Sequence, residues 1–364
     1  MINMDNKKII LDTGSGYTKI GFSNQAEPQI CIPTAIARPI NSSSTDLSCV
    51  IIGNNVLNPP KDYSIDRPMY KGTITDWDLM EKYWSHLFKN ELKIDINNSE
   101  IFMTEKFKLP KTEREKKAEI FFENFNVSSM FISNGATTTL WGSRVISGFL
   151  IDFGYDYTQI IPMRNGFGFK IATQECDIGG KDINQYLKEL LIKKDISNIS
   201  EQDLENIKIQ HCFCKNKNTS ENELNKCIKY KLSNDMYIDI DEERYLSTQI
   251  LFTPLFGKGN IFNYLLKSLY EADNATDSTF RRTVVVSGGN SLFSGFETEF
   301  TDILQSFEKM THKINVIIKD NRQFLQFFGA SEHSAESYIG SRCMSKKDYE
   351  EWGASGVHHK FFYL

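Results

Sequence analysis

From Ile9 to Phe22 apolar and β-branched positions run in two short stretches, broken once by the small residues of DTGSG. That pattern predicts two strands joined by a tight turn, which the glycines permit. Gly148 to Ile161 repeats it. ILDTGSGYTKIG and LIDFGYDYTQII align without a gap as apolar, apolar, Asp, x, Gly, x, x, Tyr, Thr, Lys or Gln, Ile. The copies stand roughly 140 residues apart, far beyond the period of solenoid repeats, which predicts a duplicated domain.

Helical periodicity lies between and after the two hairpins. Pro110 opens KTEREKKAEIFFENF, in which Ala118, Phe121, Phe122 and Phe125 keep the spacing of a buried stripe and the charges are read as a solvated face. DINQYLKELL, after Gly179 and Gly180, puts Ile183, Tyr186, Leu187 and Leu190 on one side. SKKDYEEWG has Ser345 and Asp348 at the reciprocal positions of a capping box and Gly353 as its stop. VVVSGGNSLFSGF, Val284 to Phe296, predicts a buried strand feeding a glycine turn and then a helix. KNKNTSENELNK is polar and without period, hence a surface loop. Strands alternating with helices, twice over, predict an α/β protein.

Composition narrows the function classes. A chain of 364 residues is long enough for two lobes with separate cores. A net charge of -5 argues against a general binder of nucleic acid or anionic membrane. No apolar run reaches the roughly 18 residues that span a bilayer, and MINMDNKK has no signal-peptide core, so a soluble, cytoplasmic protein without membrane insertion is expected. Seven scattered cysteines make no disulfide framework, and Cys212 with Cys214 lacks the second pair of a zinc site.

The first hairpin carries candidate chemistry. Backbone N–H groups in a glycine-rich turn form an anion-binding concavity, and a carboxylate at its edge can organise the water shell of Mg²⁺ beside phosphates. Here these are Asp12 with Gly14, Ser15 and Gly16, and Lys19 within reach of phosphate charge. Alone, an Asp-x-Gly-x-Gly turn is most often an ordinary hairpin. The second copy and the SGGN element after a buried strand raise its weight.

DTGSGYTKIGF, TITDWDLMEKYW, FFENFNVSSMF, LIDFGYDYTQIIP, CDIGGKDINQYLKELL, VVVSGGNSLFSGF and SKKDYEEWGASGVHHK together resemble blocks of the actin family, in actin order and nearly end to end. The resemblance implies the two-lobed fold shared with the heat-shock chaperone ATPases, with ATP or ADP and Mg²⁺ in a cleft between lobes. It places the first lobe at residues 1–142 with 323–364 and the second at 143–322. It extends the candidate site to Asp152, Gly154, Gly180, Lys208, Gly288, Gly289, Asn290 and Phe293, with Asp12 and Asp152 acting on the metal through water. GYTKIGFSNQAEPQICIPT, WDLMEKYW and KKDYEE look most like the larger actin-related subunit of the branched-filament nucleating complex, whose typical insertions this chain lacks.

The departures bear on activity. Gly135 stands where the family has a glutamine that positions the attacking water, and Gln159 where a histidine stands near the same water. The second phosphate loop reads Asp152, Phe153, Gly154, Tyr155, Asp156. A residue with a Cβ at its fifth position resists positive φ and close approach to phosphate, and two like charges about 4 Å apart repel by roughly 1 to 4 kcal/mol. Ile209 replaces a ribose-binding glutamate. These losses imply either drift away from ligand binding or selection against hydrolysis with ATP kept as a structural wedge. Either way the ATPase is expected to be lost.

The expected role is a structural subunit of a heteromeric cytoskeletal complex, with other actin-related or cytoskeletal subunits, or actin itself, as partners. Trp141, Tyr349 and Trp352 are candidate interface anchors, and for Tyr349 burial inside the lobe accounts for the residue at least as well. No counterpart of the loop that actin inserts into its neighbour stands between ARPINSSSTDLSCVIIG and DRPMYKGTITDW, and GKGNIFNYLLKSL is short where actin carries its interstrand plug. A conventional filament-forming actin-like protein is the alternative, followed by a small-molecule kinase of the same fold class. A heat-shock-type chaperone needs a substrate-binding segment, and the chain stops at KFFYL.

Overall fold

The computed structural model describes residues 8–40, 49–253, 259–273, 283–306 and 314–361. They form an α/β protein that divides into two compact units, one of Met1–Ser147, Met163–Lys170 and Phe324–Leu364, the other of Gly148–Pro162 and Ile171–Gln323.

The first unit is built on a six-stranded sheet in the order Met344–Ser345, Ser129–Asn134, Glu100–Glu105, Ile9–Thr13, Tyr17–Phe22, Ile30–Pro33. Ile9–Thr13 runs antiparallel to Tyr17–Phe22 and parallel to Glu100–Glu105, which in turn is parallel to Ser129–Asn134. Such a central strand is covered on both faces, which accounts for the unbroken burial of Ile9, Ile10 and Leu11. The core beside the sheet is aromatic. Trp84 meets Phe121 edge-on at 5.1 Å between ring centres, and Phe88 lies 6.3 Å from the same ring.

The helix opened by Pro110 spans Lys111–Glu119 and runs on as a π-helical turn, Ile120–Asn124. Ala118, Phe121 and Phe122 are buried as expected, and Phe125 is partly so. The charge run is not wholly a solvated face. Glu113 and Lys117 are buried, with Lys117 Nζ 3.1 Å from Glu113 Oε1 and 3.8 Å from Glu105 Oε2, while Arg114 also pairs with Glu105. Glu105 is itself buried at the end of its strand, and a buried carboxylate requires cations, which this helix brings.

Two short helices of this unit pack unusually close. At Gly142 a Cβ would strike the carbonyl oxygen of Leu325, and at Gly329 it would strike that of Thr138. Gly135–Gly142 and Leu325–Ser334 therefore meet backbone to backbone at positions where only glycine fits. Near the C-terminus, the helix Lys346–Trp352 has the predicted capping box between Ser345 and Asp348 and ends at Gly353 with φ of 66°.

The second unit is built on the sheet order Asn315–Ile318, Thr283–Ser287, Gly148–Phe153, Thr158–Arg164, with Gln174–Cys176 also paired to the last of these. Parallel pairing of Gly148–Phe153 with Thr283–Ser287, and of that strand with Asn315–Ile318, repeats the arrangement around the first hairpin. Each copy of the repeated motif thus begins on a strand with a parallel neighbour on one side and returns on the strand at its other side.

The helix Gly180–Ile192 buries Ile183, Leu187 and Leu191. Tyr186 and Leu190, expected in this stripe, are only partly buried. The i, i+4 row through Leu191 faces Leu204 and Ile207 of the next helix, Glu201–His211, within one cluster. The polar segment 215–226 contains a short helix, Glu221–Leu224, and is anchored rather than free. The buried guanidinium of Arg244 donates to Glu223 Oε1 at 2.8 Å and to the carbonyls of Glu223 at 2.6 Å and Lys226 at 3.0 Å.

Residues 41–48 and 254–258, on which part of the trimmed-loop expectation falls, lie outside the described residues. Among the described residues no helix is long and apolar enough to cross a membrane. Cys212 and Cys214 are buried, and burial pushes the Cys212 thiol up to about 11, with Ser247 Oγ 3.5 Å from its sulfur. Thiol reactivity follows thiolate fraction and access, so iodoacetamide at mildly alkaline pH is expected to label exposed Cys49 and Cys227 in the native protein but Cys212 and Cys214 only after denaturation. Mass spectrometry of the labelled peptides checks this, and rapid native labelling of Cys212 would contradict it.

Candidate functional site

In the first unit the turn between the paired strands is closed by the Gly14 N–H donating to Tyr17 O at 3.1 Å. A Cβ at Gly14 would lie 3.0 Å from that oxygen, so a small residue keeps the turn tight. The N–H groups of Ser15 and Gly16 meet no acceptor among the described residues, and Ser15 Oγ accepts from Gly72 N at 2.8 Å. This tip can receive an anion.

Asp12 is 2 % exposed and stands opposite Lys19 in the strand register. Its Oδ2 accepts no hydrogen bond, with Lys19 Nζ 3.3 Å away. Its Oδ1 is fully engaged. Thr104 Oγ1 donates to it at 2.8 Å and Gln326 Nε2 at 2.6 Å, and Gln326 Nε2 also lies 2.9 Å from Thr104 Oγ1.

Gln326 was not among the residues predicted for the site. It belongs to the helix Leu325–Ser334, whose sequence FLQFFGAS reads as apolar packing. Its amide group fills the space that Gly135 leaves, since a Cβ at Gly135 would lie 2.7 Å from Gln326 Cδ, Nε2 and Oε1. Gly135 opens the helix Gly135–Gly142, and Asn134 caps it through Ala136 N at 2.9 Å.

The second hairpin closes its turn with the same bond, Gly154 N–H to Tyr157 O at 3.1 Å. Beyond that bond the two loops differ. Gly180 N donates to Gly154 O at 3.1 Å and Lys181 N to Tyr155 O at 3.0 Å, so the N-terminus of Gly180–Ile192 is docked on the loop. Asn290 Nδ2 adds a bond to Gly154 O at 2.5 Å. The amides that a helix N-terminus could offer to phosphate are spent on the loop's own carbonyls.

Asp156 corrects the expectation of a strained residue facing like charge. Neither Tyr155 nor Asp156 has positive φ. The Asp156 carboxylate is buried, with Lys181 Nζ 3.1 Å from Oδ1, so it is neutralised from within. The like-charge penalty is therefore offset inside the unit, and what distinguishes this loop is occupancy by its own groups. Asp152 Oδ1 accepts from Ser287 Oγ at 2.6 Å. Gln159 is buried and donates from Nε2 to Glu175 Oε1 at 3.3 Å. Tyr157, beside them, has its hydroxyl pushed well above the usual range by burial and then by the charges of Glu175, Asp152 and Asp156.

The residues expected around a nucleoside gather in the second unit. Lys208 Nζ is 2.7 Å from Glu205 Oε2, donates to Gly180 O at 3.5 Å and stands 6.0 Å from the centre of the Tyr155 ring. Glu205 was not predicted, although its place three residues before Lys208 makes the pair legible on a helix. Gly288 has φ of 92° and a Cβ there would run into the Phe153 backbone, whereas a Cβ at Gly289 would meet nothing within 4 Å. Phe293 packs against the helix cluster, and Ile209 is 65 % exposed.

The first loop fits a phosphate, through the Ser15 and Gly16 amides with Lys19 nearby, while the Asp12 carboxylate that would face a hydrated cation has Oδ1 taken by Thr104 and Gln326 and Oδ2 beside the Lys19 ammonium. The second loop does not add to that fit, because its helix N-terminus and its carboxylate are committed internally. The family model described as Actin matches residues 3–211 and 199–362, nearly the whole length. With the repeated hairpins set in two mixed sheets of like order, this chain belongs to the actin family.

Proposed function

We propose that this chain is a divergent actin-related protein that serves as a structural subunit of a heteromeric cytoskeletal complex and does not turn ATP over at a useful rate. Actin-family proteins bind ATP or ADP with Mg²⁺, and bound MgATP would supply a polarised terminal phosphoryl group. In this chain Ser15 and Gly16 would hold phosphate through their amides, Lys19 would balance its charge and Asp12 would face the hydrated cation.

The observation that carries the loss of turnover is the state of the second loop. Asp156 is paired with Lys181, the loop carbonyls take the helix amides, and Gln159 is tied to Glu175. With Gly135 lacking any side chain, the family's water-positioning groups have no counterpart at their own positions. Orientation of the attacking water carries much of such a barrier, so its loss lowers the rate by several orders of magnitude. Three segments, GYTKIGFSNQAEPQICIPT, WDLMEKYW and KKDYEE, resemble the larger actin-related subunit of the branched-filament nucleating complex.

Of the three candidate anchors Trp352 suits an interface best. It is 42 % exposed, with Lys360 Nζ 5.5 Å from its ring centre. Trp141 lies against His333 at 4.1 Å, and Tyr349 stacks on Phe122 at 4.7 Å and donates to Glu123. Affinity purification from native cells should yield a fixed set of actin-related or cytoskeletal partners and no ATP turnover. Trp352→Ala should release them with the melting temperature unchanged. A monomer in cells, self-filaments at moderate concentration, or robust hydrolysis by the wild type would sink the proposal.

A further inference from the structure

We propose that Gln326 is a positioning residue that locks Asp12: reaching into the space left by Gly135, its amide occupies the carboxylate oxygen that would otherwise bind the hydration shell of a divalent cation. The inference rests on the nucleotide reading of the first loop and concerns how that loop is held.

Three observations within the first unit support it. Asp12 Oδ1 receives both Gln326 Nε2 and Thr104 Oγ1, at 2.6 and 2.8 Å. A carboxylate oxygen has two lone-pair sites, so two donors saturate it and exclude a metal-bound water from that oxygen. The remaining oxygen, Oδ2, is buried and faces the Lys19 ammonium at 3.3 Å. Finally, the amide reaches Asp12 only because position 135 is glycine, since a Cβ there would sit 2.7 Å from three atoms of the Gln326 side chain. Gly142 and Gly329 bring the two helices close enough for this reach. Gly135 and Gln326 are thus one device: the first makes room and the second fills it with a donor aimed at the carboxylate.

Two different substitutions must then have the same effect. Gln326→Val removes the donor. Gly135→Ala leaves it in place but pushes its flexible end aside, at a position whose φ any residue adopts. Each is expected to raise the affinity of the full-length protein for a fluorescent ATP analogue about tenfold in saturating Mg²⁺, the scale of one charge-assisted hydrogen bond made or lost, with no gain in EDTA. The double variant should gain no more than either single one, because both displace the same amide. Gln326→Asn, polar but too short to reach Asp12, should behave as Gln326→Val does and guards against a fold defect from the apolar side chain. Thermal melts without ligand supply a second readout: Gly135→Ala should change stability less in the Gln326→Val background than in wild type.

Unchanged affinity in the single variants, additive gains, or no nucleotide binding by any of the proteins overturns the lock while leaving the subunit reading intact. Robust wild-type turnover that Gln326→Val abolishes overturns both, and makes the amide an orienting group for water. Tenfold gains in a protein that has no cellular partner support the lock and defeat only the subunit reading.

Discussion

Gly329→Ala is expected to destabilise the first unit by at least about 4 kcal/mol, the exceptional end of single-substitution effects. The added Cβ would strike the Thr138 carbonyl oxygen and lie 2.8 Å from Gly142 N. Both are backbone atoms inside the facing helix, so no side chain can swing away. The helices must separate, and with them goes the tight packing around Leu140, Phe327 and Ala330, all buried. Gly340→Ala is the matched control. That glycine also lies in a helix, Ser337–Arg342, but its Cβ would meet nothing within 4 Å, so the change should be neutral or stabilising by up to about 1 kcal/mol. Thermal melts of the two variants decide the matter. Equal melting temperatures would mean that the helices tolerate a wider separation than the glycines suggest.

The second large effect is expected at Glu205. Its side chain and that of Lys208 are almost wholly buried and lie 2.7 Å apart, with Asn184 Nδ2 donating to Glu205 Oε2 at 2.8 Å. Among the described residues, Glu205→Ala leaves the buried ammonium with only the Gly180 carbonyl, 3.5 Å away, and the face of Tyr155. Breaking a buried pair in this way costs about 3 to 5 kcal/mol, most of it the unpaired charge. Replacing both partners by apolar residues of similar volume, Glu205→Leu with Lys208→Met, should recover most of that loss. The contrast between single and double variants is the measurement. If both lose the same stability, packing rather than charge accounts for the effect. The pair also bears on the candidate site, because Lys208, one of its expected residues, is engaged by a carboxylate from its own helix.

Much of the fold was legible because local patterns and tertiary needs agree. The repeated hairpin, the capping box at Ser345 and the strand running into Gly288 follow from turn chemistry and periodicity, and tertiary contacts do not oppose them. Where expectation failed, long-range contacts decided. Glu113 and Lys117 look solvated in a charged run, yet Lys117 pairs both with Glu113 and with the buried Glu105 of a distant strand, and so is held inside. Asp156 looked repulsive because its partner Lys181 follows the next glycine pair, and nothing local says that the two meet.

By itself the amino-acid sequence determined the α/β class, the duplication, the family and the small-residue turn around Asp12, since each rests on spacing within a short window or on order along the chain. Only the tertiary structure decided how the candidate site is furnished. A glutamine 314 residues from Asp12 in sequence enters the gap at Gly135, and the second loop is closed by a helix N-terminus. The physical reason is that backbone geometry is set by near neighbours, whereas which donors saturate a buried carboxylate depends on helices brought together by the close approach at Gly142 and Gly329.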